Sequence, residues 1–355
     1  MQAAYSEKSS RPIASWLMVG LGMIVIQVLL GGITRLTGSG LSITEWNLVT
    51  GTFPPLNEAA WLTEFEKYRS TPQYQLLNSD FSVADFKFIY FWEWFHRVWA
   101  RLIGLVFLIP FLIFLYQRRF TKEMVRPMAI LFLLGALQGA VGWIMVASGL
   151  TGDAIYVKPT RLALHFLFAL GLFVYTFWFA MELTVGRKPV IANRTLSRLT
   201  IGLILLLVIQ LGFGALMAGH KAATAAPTWP DINGALIPEA MWRSDWGMLN
   251  ILENKILIHF VHRGLGYLLF IGVLLLSIKL FRIKPQTPIF HRLWWLPLFI
   301  VTLQVVLGIA SVLFSVQIVP RHWGAFEWMA QLHQLVAMFL LMSLVGVSYL
   351  VADRA

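Results

Sequence analysis

FWEWFHRVWARLIGLVFLIPFLIFLY (91–116) reads as one membrane-crossing helix that opens on a polar cluster and runs on into hydrocarbon. Glu93, His96, Arg97 and Arg101 crowd its start, and from Leu102 onward no charge interrupts it. About 20 apolar helical residues cross the ~30 Å apolar core of a bilayer. A second stretch, HFVHRGLGYLLFIGVLLLSIKLF (259–281), has the same build, with His262-Arg263 in place of His96-Arg97. Working outward, the apolar runs predict eight spans, at about 13–33, 87–116, 125–147, 161–184, 198–218, 254–278, 293–315 and 325–351. The chain is 58% hydrophobic and 13% charged, as a polytopic all-α membrane protein requires.

The net charge of +11 resembles that of a nucleic-acid binder, but its placement argues against such a partner. QRRFTKEMVR (117–126), GRKPVIANRTLSR (186–198), KLFRIKPQTPIFHR (279–292) and the two termini hold 15 Lys and Arg against Glu7, Glu123 and Asp353. On the long loops 34–86 and 219–253, five Lys and Arg stand against ten Asp and Glu. The positive-inside rule therefore puts both termini and the short basic loops in the cytoplasm and the long loops outside. The short polar start, MQAAYSEKSSRPIASW, shows no cleavable leader, which points to a bacterial plasma (inner) membrane and contact with its lipid. With no cysteine, disulfides, thiolate metal sites, iron–sulfur clusters and covalent c-type haem are all excluded.

Four histidines stand out by position. His96, His165, His262 and His333 lie near the outer ends of the four even-numbered spans, hence at one depth. Each is followed one turn later by a small residue: Ala100, Ala169, Gly266 and Ala337. Residues i and i+4 share a helix face, so a flat ring bonded to the imidazole would find room there. The pattern fits haem iron with paired axial histidines. A plainer reading is that membrane histidines only hydrogen-bond across helices.

The chain also repeats. His96 and His262 are 166 residues apart, and His165 and His333 are 168 apart. IQVLLGG (26–32) answers IQLGFGA (209–215), and LQGAVG (137–142) answers LQVVLG (303–308). Two parallel four-helix bundles follow, 1–186 and 187–355, with His96 paired to His165 and His262 to His333. Where the copies differ, chemistry is expected. Glu93, three residues before His96, is matched by His259 before His262. A carboxylate inside a span is costly and marks a proton-handling candidate, or a partner that orients His96 or pairs with Arg97 or Arg101. Arg97 and Arg263 offer planar cations to haem carboxylates, although interfacial snorkelling also explains either one.

GGITRLTGSGLSITEW (31–46), EWFHR (93–97), HFLFAL (165–170), VHRGLGY (261–267) and QLHQL (331–335) resemble the haem A synthase family over essentially all eight spans. The resemblance implies an oxidoreductase that turns a methyl group of haem O into the formyl group of haem A. It implies haem O held by His96 and His165 with Arg97, and Glu93 as the catalytic carboxylate. It implies haem b held by His262 and His333 with Arg263. Haem O synthase and an electron-transfer partner are the implied protein partners. Some family members carry a cysteine pair in the first outer loop; this chain resembles the cysteine-free branch. A di-haem b electron carrier accounts equally well for four histidines, but not for the exchange of Glu93 for His259. A repeat-built transporter fits least, because such sites lie at broken helices near the midplane.

Reporter fusions at Ala355 and within 219–250 are expected to give opposite compartment signals. The same signal from both would overturn the eight-span reading.

Overall fold

The computed structural model describes residues 7–46, 50–186, 191–283, 290 and 294–351. These form eleven α-helices and several short 3-10 turns. The helices are α1 (Glu7–Leu36), α2 (Glu58–Arg69), α3 (Pro72–Leu77), α4 (Val83–Tyr116), α5 (Lys122–Ala147), α6 (Pro159–Thr184), α7 (Arg194–Gly219), α8 (Asn250–Glu253), α9 (Lys255–Phe281), α10 (Leu296–Leu313) and α11 (Ala325–Leu350). Eight of them are long and apolar enough to cross a membrane, at the eight expected places. Parts of the basic loops, including Arg187, Lys188, Lys284, Arg292 and Asp353, lie outside the described residues.

The chain divides into two compact units, Val19–Ala169 and Met1–Met18 with Leu170–Ala355. Their boundaries fall inside α1 and α6, a different partition from the sequence halves at 186/187.

In the larger unit, α7 packs on α9 and α11, and α10 packs on the same two helices. The ring order is thus α7–α9–α10–α11, with the histidine-bearing α9 and α11 facing each other across it. α11 is the most deeply packed span: almost every residue from Ala337 to Leu350 is buried. Its inner end is tied down by Trp178, whose ring meets Tyr349 edge-on at 4.9 Å, and by the Ile191 N–H, which donates to the Leu350 carbonyl.

In the smaller unit, α4 begins a turn earlier than expected, and the reason is local. Ser82 and Asp85 form a reciprocal capping box that satisfies the first orphan N–H groups. The added turn carries Phe86, which with Ile89 and Tyr90 joins Phe65, Tyr68 and Phe81 in a small aromatic core. Helices α2 and α3 are thereby folded onto the outer end of α4. Tyr68 is fully buried; its hydroxyl donates to Gln73 and accepts from Asn78. Burial pushes this phenol up to about 12, so it stays neutral. Phe86→Ala should remove the centre of this core, at a cost of about 3–5 kcal/mol. It is expected to open residues 50–82 to limited proteolysis while the spans remain intact.

Candidate functional site

Each candidate histidine lies against the span before it, and the contact has the same form four times. Gln27 of α1, Gln138 of α5 and Gln210 of α7 donate their amide N–H to the backbone carbonyl of His96, His165 and His262, at 3.2, 3.2 and 2.9 Å. The amide nitrogens of Gln27 and Gln138 also lie within 3.4 Å of both ring nitrogens of His96 and His165. In the fourth copy the Gln304 amide nitrogen is 3.3 Å from His333 Nε2, and His333 Nδ1 donates to the Gln304 carbonyl at 3.0 Å. That last bond puts the proton on Nδ1 and leaves Nε2 with a free lone pair as the acceptor nitrogen.

One turn after each glutamine is a glycine: Gly31, Gly142, Gly214 and Gly308. A Cβ there would stand 3.2, 2.8, 3.2 and 2.9 Å from the imidazole Cε1 of His96, His165, His262 and His333. The ring needs bare backbone to lie so close. This Gln-x3-Gly element was visible in the sequence as part of the repeat, but its role as the imidazole cradle was not. Of the small residues one turn after the histidines, Gly266 lies beside the Gln210 amide nitrogen, 3.5 Å from its Cβ position.

The His262 and His333 rings face each other with centroids 6.2 Å apart and planes at 76°. Two imidazole–metal bonds of about 2 Å each, with the ring radii, span roughly this distance. No group of three or more His, Cys, Asp or Glu side chains converges on a point among the described residues. Two imidazoles per half are too few for a bare ion. They suit an iron whose other four ligands come from a porphyrin. Unpartnered polar atoms collect here, as expected of a cavity meant to be filled: His262 Nδ1, Arg263 Nε, both ring nitrogens of His259 and both amide atoms of Gln331. His96 and His165 are within electrostatic range of each other in the first half.

Glu93 is buried at 3% exposure and has both oxygens engaged. Oε1 accepts from Arg97 at 2.5 Å. Oε2 accepts from the Ser42 N–H and hydroxyl, each at 2.7 Å, and from the Ile43 N–H at 3.0 Å. The sequence offered Arg97 as a partner for Glu93 but not Ser42, because that contact joins residues 51 positions apart. Arg97 goes on to donate to the Glu45 and Ile43 carbonyls and lies over the Trp46 ring. Lys67 holds Glu45 from the α2 side at 3.0 Å. Residues 42–46 of the long first loop are therefore bound to the helix that carries His96. Arg263 does the same for the second outer loop, donating to the carbonyls of Asp231, Thr228 and Ala226 at 2.7, 2.7 and 3.2 Å.

Residues 14–345 match the model of a family described as cytochrome oxidase assembly protein. The chain is 40% identical over 343 residues to a heme A synthase of Flavobacterium psychrophilum, covering 94% of this chain and 96% of the relative. It is 42% identical over 310 residues to a heme A synthase of Rhodopseudomonas palustris, covering 87% and 84%. It is 40% identical over 308 residues to that of Paracoccus denitrificans, covering 85% and 80%. The chain belongs to the haem A synthase family. Membership agrees with the resemblance drawn from the motifs, and it disfavours the plain di-haem carrier.

For a haem A synthase family member, the glycine cradle makes a sharp test. Gly308→Ala forces a methyl group against His333 and is expected to lower bound haem strongly. Gly104→Ala, with open space at its Cβ, should leave it unchanged. Haem content of the purified proteins, read from the Soret band, decides.

Proposed function

We propose that this chain catalyses the family's reaction, the oxidation of a methyl substituent of haem O to the formyl group of haem A, as a multi-pass enzyme of the bacterial inner membrane with both termini cytoplasmic. The observation that carries the proposal is the pair of imidazoles in each sequence half, each cradled by a Gln-x3-Gly element. The two halves, 1–186 and 187–355, then divide the work. His96 and His165 hold the substrate haem O by its iron. His262 and His333 hold a resident haem b.

When bound, haem b supplies one-electron chemistry between an external electron partner and the substrate site. Everything else falls to the side chains. The four glutamines pin each ligand-bearing helix to its neighbour, and the glycines admit the rings. Arg97 and Arg263 bind the outer loops over the two sites and carry the positive charge that haem carboxylates require. Methyl to formyl, balanced with the oxygen counted as water, takes up one H2O and releases four electrons to the electron partner and four protons, so a proton acceptor beside the substrate is needed. Glu93, three residues from His96, is the carboxylate placed to serve. Haem O synthase, as the source of the substrate, is the natural neighbour in the membrane.

Two expectations follow. His262→Leu or His333→Leu should abolish a low-spin b-type spectrum, because among the described residues of that half no third imidazole lies against such a glycine; a full spectrum in both would reduce the pair to a structural role. Glu93→Gln should keep haem b yet lower haem A output by about 10²–10⁴-fold, the range typical of a lost acid–base group, with haem O or a hydroxylated intermediate retained. Unchanged haem A output would remove Glu93 from the chemistry.

A further inference from the structure

The two His-Arg corners share a scaffold and differ in charge balance. In the first half, Glu93 places a carboxylate one turn before Arg97, and its oxygens take up four donors. In the second half, His259 stands in that place. It is 0% exposed, and neither ring nitrogen has a partner. Arg263 spends its terminal nitrogens on loop carbonyls, and its Nε is buried without an acceptor. His262 Nδ1 is in the same condition. His259 and Arg263 are four residues apart, hence on one helix face, and feel each other electrostatically.

Asp231, on the loop that Arg263 binds, does not meet this demand: its carboxylate is already taken by the Thr228 hydroxyl at 2.8 Å and the Gly234 N–H at 2.7 Å. Buried donors without an acceptor are costly, and a fixed guanidinium beside them makes the place favourable for an anion.

We propose that His259 and Arg263 form the receptor for a carboxylate of the haem held by His262 and His333; this rests on the haem b reading above. The corner that lacks its own carboxylate takes one from its ligand. In the first half Glu93 already fills the corresponding place, so a haem carboxylate reaches Arg97 there only in competition with it. The C-terminal haem is thus gripped at the iron and at its acidic edge, whereas the N-terminal haem must displace Glu93 to gain a second grip at this corner. That difference makes one haem resident and the other exchangeable.

The test uses the purified full chain as wild type, His259→Gln, His259→Leu and His259→Glu. Haem b loss to excess apomyoglobin is followed at the Soret band. His259→Leu and His259→Glu are expected to lose haem b about tenfold faster or more, as for one lost charge-assisted hydrogen bond, while His259→Gln, which still donates, stays near wild type. Protein made under haem limitation is then reconstituted with protohaem or its dimethyl ester. Wild type and His259→Gln should prefer the free acid, and His259→Glu should lose that preference, a comparison that stands even if His259→Leu fails to fold. Equal loss rates and no preference for the acid, with normal b-type spectra, would overturn the receptor alone. A b-type spectrum that is absent from wild type, or that survives His262→Leu, would overturn the haem b reading and the receptor with it.

Discussion

An imidazole can lie against a neighbouring membrane helix only where that helix shows bare backbone. Gly31, Gly142, Gly214 and Gly308 provide that surface, with hypothetical Cβ positions 2.8–3.2 Å from the rings. The glutamine one turn earlier adds direction, because its amide reaches the main chain or ring of the same histidine. The two residues together decide which helices are neighbours. In the larger unit they place α7 beside α9 and α10 beside α11. The histidine helices are left facing each other, and their rings come to 6.2 Å. Ring spacing and helix order in the larger unit thus follow from one five-residue element that the chain uses four times.

The outer loops depend on the same helices. Arg97 and Arg263 each follow a cradled histidine directly, and each binds the carbonyls of the loop above it. A loop free to leave would expose the apolar site beneath to water. A loop held by the residue next to the ligand moves only with that ligand's helix. The first loop has further ties through Glu93, through Lys67 and through the aromatic core that seats α2 on α4. The second relies on 3-10 turns and the Asn250–Arg243 backbone contacts.

Much of this was legible in the sequence, for reasons that can be named. The spans were legible because a membrane helix must satisfy its own backbone and be apolar over a fixed length. The four histidines were legible because they sit at one register on alternate helices. The special place of Glu93 was legible as a break in the repeat. What escaped depended on distant contacts. Ser42 gives no sign that it caps a carboxylate 51 residues away. Phe86 reads as the last residue of the long first loop, yet it sits on α4 at the centre of a small aromatic core. Arg97 and Arg263 read as partners for haem carboxylates, and most of their hydrogen bonds go to loop carbonyls. The Gln-x3-Gly element was seen as evidence of repetition, but its purpose is visible only once the ring is seen against the glycine.

The satisfied state of Glu93 constrains how it can act on the proposed reading. A carboxylate with four donors is fully engaged, and one of its oxygens opens to another partner only when a donor withdraws. The Ser42 and Ile43 N–H groups are backbone, fixed by the turn that follows α1. Arg97 is the replaceable donor, since its other hydrogen bonds to Ile43 and Glu45 keep it seated on the loop when it leaves Oε1. A haem carboxylate near Arg97 would compete for this guanidinium and free that oxygen. Substrate arrival would then itself prepare the proton acceptor, and an empty site would keep its carboxylate paired. In the second half no carboxylate stands before Arg263, so no such coupling is available there. This agrees with a haem that carries electrons and is not itself altered.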